Sequence, residues 1–177
     1  RKQKKTILVS SAGSKLIEIE KIVSIFQESN QHIILLHGFQ GYPTKIEELN
    51  LKRLLTLKER FGVEIGIMDH VSGNSEFALI APLLAVSMGA TIVEKHITLD
   101  RNQKGIDYFS SLNPDEFKKM VKWINNTHKA LGSESLEILG NELQYRLLHK
   151  KTLVAKKDIP KNKILTQKYF ELKRAPN

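Results

Sequence analysis

Three histidines stand where apolar runs of the sequence break off. His37 closes HIILLH, His70 closes VEIGIMDH and His96 closes TIVEKH. Two neutral imidazoles on neighbouring strands can hold a divalent ion and leave positions open for substrate oxygens and water. One histidine in an apolar run is ordinarily a hydrogen-bonded core residue, so it is the repetition that points to a site. The chain has no cysteine, which removes thiolate ligands, disulfides and thiol nucleophiles. With so few protein ligands, Mn²⁺ first and Mg²⁺ second suit the pair better than structural zinc does. After His96 a polar loop closes on Gly105-Ile106-Asp107, and Asp107 is placed either to grip hydroxyls or to cap the turn. Asp69, beside His70, is likewise either a partner of the site or a structural cap.

Side chains alternate along a strand, so Glu94 and His96 share one face and Lys95 takes the other. With His96 in the site, Lys95 is expected to point towards the covering helices, which weakens a Schiff-base reading.

The elements that carry these residues form a regular series. Apolar, β-rich runs begin near Thr6, His32, Val63 and Thr91, each nearly continuous, as parallel strands covered on both faces are. A helical pattern follows each. Leu16, Ile19, Ile22, Val23 and Phe26 fall on one face of the first, and Leu51, Leu54, Leu55 and Phe61 on the second. Phe77, Ile80, Ala81, Leu84 and Met88 are expected to serve the third, with Pro82 a flaw in it. Pro114-Asp115-Glu116 opens the fourth, Phe117, Met120, Val121, Ile124 and Leu131 form its stripe, and Gly132 stops it. Trp123 and His128 on this helix read as packing or solvent contacts. Four parallel βα units make either an open doubly wound sheet or half of a (β/α)8 barrel. No G-x-G-x-x-G follows a strand to support a dinucleotide fold. In both architectures ligands sit at the carboxyl ends of the strands, and His37, His70 and His96 are expected at one level there.

With 41% hydrophobic and 27% charged residues among 177, the composition is that of a soluble globular chain with no membrane-length apolar run. The net charge of +9 is concentrated: residues 145–177 hold ten Lys or Arg and two acids. That stretch lacks the aromatic interleaving of a nucleic-acid platform and reads as a solvated or anion-facing module, so neither nucleic acid nor membrane is expected as a partner.

The stretches His37-Gly38-Phe39-Gln40-Gly41-Tyr42-Pro43, Gly66-Ile67-Met68-Asp69-His70 and Gly89 to Arg101 (GATIVEKHITLDR), continued by Lys104-Gly105-Ile106-Asp107 and Ser111 to Phe117, resemble the sialic acid synthase family. Lys151 to Pro160 (KTLVAKKDIP) with Leu165-Thr166 is similar to the opening of that family's antifreeze-like (SAF) domain. The resemblance implies the C-terminal half of a (β/α)8 TIM barrel over 1–132, a linker with a helix over 133–150, and the start of a small β-rich SAF domain over 151–177. It implies condensation of phosphoenolpyruvate with an N-acylated hexosamine, such as N-acetylmannosamine, to a nine-carbon 2-keto sugar acid. It also implies a cytoplasmic homodimer with exchanged antifreeze-like domains. Strands one to four, with a catalytic glutamate and lysine, are expected before Arg1, pairing with the edges near Thr6 and Thr91.

Residue by residue, the resemblance makes His70 and His96 the metal ligands, and places Tyr42 and Asp107 at the sugar. It places Gln40 near phosphoenolpyruvate, and Lys5 with Ser10 near its phosphate. His37 reads as a packing group behind the ligands. The pattern departs at Met68, where a serine usually contacts phosphate; a thioether donates no hydrogen bond. It departs also at Gly38 for cysteine, Ala12 for glycine and Tyr108 for histidine. A metal-dependent hydrolase on a TIM barrel and a non-catalytic sugar-acid binding homologue are the alternative readings.

Overall fold

A computed structural model describes residues 5–174; the first four residues and the last three, at the ends of the first and third expected segments, lie outside the described residues. The chain divides into two compact units, Arg1–Gly132 and Ser133–Asn177.

In the first unit β1 (Ile7–Ser10), β2 (Ile33–Gly38), β3 (Glu64–Asp69) and β4 (Ile92–Lys95) form one sheet in the order β1-β2-β3-β4, every neighbouring pair parallel. Helices α1 (Leu16–Glu28), α2 (Arg53–Phe61) and α3 (Phe77–Ser87) make the crossovers, and α4 (Pro114–Leu131) follows β4. This is a parallel α/β sheet with the organisation of a partial barrel.

Alternation sorts the strand residues onto two faces. Ile33, Leu35, Ile65 and Ile67 join Ile19 and Val23 of α1 and Leu54 and Leu57 of α2 in the principal core. Ile34, Leu36 and Met68 form a smaller cluster on the inner face, with Ala12 and Ile92 against it. A third cluster joins Ala78, Leu79 and Ala81 of α3 to Met120 of α4.

Helix ends follow from local chemistry. Gly62 stops α2 in the left-handed region at φ 63°, where a side chain would be strained. Pro114 starts α4, and the Glu116 carboxylate accepts the Asn113 N–H at 2.7 Å.

The helix faces correct the sequence reading in part. Leu57, not Leu55, is buried on α2, and Leu16 at the start of α1 is half exposed. On α3 the buried side chains are Ala78, Leu79, Ala81, Pro82 and Ala85, whereas Ile80 and Leu84 are exposed. Pro82 sits inside the helix without ending it. Val121 and Leu131 of α4 also remain exposed.

The second unit holds α5 (Gly140–His149) and an antiparallel pair, β5 (Thr152–Ala155) with β6 (Phe170–Lys173). Among the described residues no helix is long and apolar enough to cross a membrane.

Candidate metal and substrate site at the carboxyl ends of the strands

The β3–β4 ladder ends on the pair Asp69–Lys95, so His70 and His96 are the first residues beyond it on adjacent strands. Both have the parity of the inner face. Their ring centroids lie 5.2 Å apart, within common reach of one small cation. Tyr42, brought in by the loop after β2, lies 4.4 Å from the His70 ring and edge-on to His96 at 6.0 Å. Asp107 approaches from the loop after β4, with a carboxylate oxygen 3.9 Å from His96 Nδ1. That separation exceeds a hydrogen bond. Asp107 makes no side-chain cap of its turn, so its carboxylate is free for the site.

His70 is held in one orientation. Its Nδ1 lies 3.0 Å from the Phe39 carbonyl, which can only accept, so Nδ1 carries a proton and, in the neutral ring a metal requires, the lone pair lies on Nε2. A ring anchored in this way is what a metal-ligating histidine needs. The backbone is pinned as well: the His70 carbonyl accepts from Thr44 N at 2.9 Å and from the buried Ser110 hydroxyl at 2.8 Å. The residues therefore fit a divalent ion bound through two imidazoles. Among the described residues no group of three or more His, Cys, Asp or Glu side chains forms a metal cluster.

Of the two roles foreseen for Asp69, the structure shows the structural one: its side chain bonds neither His70 nor His96. One oxygen accepts Val71 N at 3.0 Å, and the other meets Lys95 Nζ at 2.6 Å in a pair with no solvent exposure on either side chain. Lys95 lies on the helix side, as alternation requires. Burial pulls its pKa below the usual lysine value, against the Asp69 carboxylate, which favours the charged ammonium.

The remaining residues divide. Gln40 is brought to the site: its amide oxygen accepts the Tyr42 hydroxyl at 2.9 Å. Ser10 ends β1, its hydroxyl accepting Ala12 N at 3.2 Å. Lys5 is not brought there. It precedes β1 at the amino end of the strand, and five extended residues put roughly 16 Å between it and Ser10.

His37 is also misplaced by the expectation of one level. The register pairs it with Ile67, three residues short of His70, and its parity is that of the helix side. It is buried, Nε2 bonds the Leu49 carbonyl at 2.8 Å, and burial holds its pKa below the usual histidine value. His37 packs; it does not face the ligand pair.

Sequence reasoning missed Arg101. Its guanidinium bonds both Glu116 oxygens at 2.6 and 2.8 Å, the Ser111 carbonyl at 2.9 Å and Asn74 at 2.9 Å. It thereby rivets the loop carrying Asp107 to α4 and to the loop after β3.

A family model described as the NeuB family matches residues 1–135. The chain belongs to the NeuB family. This NeuB chain is 39% identical over 167 residues to a pseudaminic acid synthase of Campylobacter jejuni, covering 94% of this chain and 47% of that protein. It is 35% identical over 179 residues to an N,N'-diacetyllegionaminic acid synthase of the same species, covering 99% of this chain and 52% of that one. A solved structure of the N-acetylneuraminic acid (sialic acid) synthetase of Leptospira borgpetersenii matches at TM-score 0.71 and 38% identity, over 80% of this chain and 49% of that one. The NeuB chain thus spans about half the length of the relatives it matches.

Proposed function

We propose that the protein carrying this NeuB chain condenses phosphoenolpyruvate with an N-acylated hexosamine to give a nine-carbon 2-keto sugar acid, releasing phosphate. The observation that carries the reading is the convergence of Tyr42, His70 and His96 at the strand ends, with Nε2 of the neutral His70 ring left as a free lone pair. Kinship to synthases of pseudaminic and legionaminic acid supports the class of product.

His70 and His96 hold a divalent ion, Mn²⁺ before Mg²⁺. Bound there, the ion supplies Lewis acidity towards a sugar aldehyde oxygen. The chain's own residues orient the partners. The Tyr42 ring, tilted against His70, gives the sugar an apolar wall, and its hydroxyl, donated to Gln40, fixes the ring. Asp107 accepts hydrogen bonds from sugar hydroxyls beside His96. Ser10, at the carboxyl end of β1 on the inner face, is the serine assigned to the phosphate. Bond formation joins C3 of phosphoenolpyruvate to the aldehyde carbon, and water adds at C2 as the C–O bond to phosphate breaks. Holding both reactants in line supplies much of the acceleration.

The second unit is read as the start of a small β-rich antifreeze-like (SAF) domain, a reading with which its antiparallel β5–β6 pair agrees, and the homodimer with exchanged domains is part of the same proposal. The reading is tested by phosphate release from phosphoenolpyruvate by the full-length protein with Mn²⁺. Release that requires an N-acyl hexosamine supports it; release without any sugar indicates a hydrolase, and none with any hexosamine indicates a binding homologue.

A further inference from the structure

We propose that the buried Lys95–Asp69 pair is a positioning device that sets the spacing of His70 and His96. The ladder between β3 and β4 ends on these two residues, so one step further on, where the imidazoles begin, the two strands no longer bond each other directly; the His70 carbonyl is held by Thr44 N and the His96 carbonyl by Leu112 N, each at 2.9 Å. The Lys95 and Asp69 side chains are the direct link between the two strand ends. Lys95 Nζ reaches from β4 across to Asp69 at 2.6 Å and to the Val71 carbonyl at 2.9 Å, bracketing His70 in the chain on both sides. Asp69 closes the bracket by accepting Val71 N at 3.0 Å. The residue next to each end of the ion pair is a candidate ligand, and alternation sends the pair to the helix side and the ligands to the inner face.

Stability does not account for the pair. Two fully buried charges cost desolvation that their attraction roughly offsets, and an apolar pair of similar volume ordinarily serves a core as well or better. An apolar pair has no preferred direction, however, whereas an ammonium held by a carboxylate and a carbonyl fixes the two strand ends relative to each other. A displacement of about 1 Å at ligands whose bonds are about 2 Å long is enough to weaken an ion site.

The inference rests on the reading that His70 and His96 hold the ion, and its test separates the two. Lys95→Met alone strands a buried carboxylate, so the informative variant is Asp69→Asn with Lys95→Met in the full-length protein. Two readouts are taken on the apo and Mn²⁺-titrated protein: Mn²⁺ affinity, from the electron paramagnetic resonance signal of the free ion, and the ring separation in a crystal structure of the apo variant. The expected result is a folded protein with Mn²⁺ bound about 10- to 100-fold more weakly and the two centroids moved from 5.2 Å by roughly 1 Å or more. Unchanged ring positions overturn the proposal whatever the affinity does. A double variant that does not fold overturns it too, because the pair would then carry the fold itself. His70→Ala serves as the control: Mn²⁺ binding undiminished there overturns the metal reading, while the apo ring separation still judges the pair.

Discussion

Replacing Arg101 by Met should loosen the loop that delivers Asp107, at a cost set by the bonds the guanidinium makes. Two bonds go to the Glu116 carboxylate at 2.6 and 2.8 Å, one to Asn74 and one to the carbonyl of Ser111, a residue 2% exposed. The Glu116 side chain is 33% exposed and regains water when its partner leaves, so its share is discounted to about 1 kcal/mol. The Ser111 carbonyl has little water to turn to, and an unsatisfied buried acceptor costs about 1–3 kcal/mol. The expected loss is therefore about 2–4 kcal/mol, read as a lower urea midpoint of the full-length protein at unchanged slope. Arg101→Lys keeps the charge but not the fork and should recover less than half of it. With the loop released, the proposed role of Asp107 in binding the sugar predicts that KM for the sugar rises more than kcat falls. A loss below about 0.5 kcal/mol, the level of an ordinary surface substitution, would refute the reasoning.

Gly38→Ala should destabilise by about 1–3 kcal/mol, because a Cβ there would lie 2.7 Å from the Met68 carbonyl oxygen and 3.1 Å from Met68 Cε. Met68→Ala in the same chain should offset part of that loss, and strictly additive losses in the double-mutant cycle would show that the two residues do not share the space. His37 has a pKa depressed by burial, so its contribution to stability is present above the unfolded value near 6.5 and is lost as pH falls through the folded one. Urea midpoints measured from pH 7 downwards should therefore fall less steeply in His37→Gln than in the parent, and parallel curves would contradict the assignment.

Strand positions were legible because β2 and β3 are buried on both faces and so read as unbroken apolar runs. The lining of α3 was not legible, since FALIAPLLAVS is apolar all round and periodicity cannot choose a face. His37 and His70 both end apolar runs, yet register separates them by three residues, and register is a property of pairing that a run's end does not reveal. Lys95 was placed correctly by alternation alone, but its partner needed the β3–β4 alignment. Arg101 joins residues 10 to 27 positions away in the chain, across two loops and a helix, and local patterning carries no trace of such a hub. Lys5 was placed near the phosphate by the resemblance alone, and the extended β1 strand puts it at the opposite end from Ser10.

The most direct test of the central claim is Mn²⁺-dependent phosphate release from phosphoenolpyruvate and an N-acyl hexosamine by the full-length protein, compared with His70→Ala and His96→Ala. Each substitution should abolish the Mn²⁺-stimulated rate while circular dichroism and the urea midpoint stay near those of the parent. Turnover that survives both substitutions and chelation of the metal would contradict the account, because the chemistry would then rest on groups other than the two imidazoles.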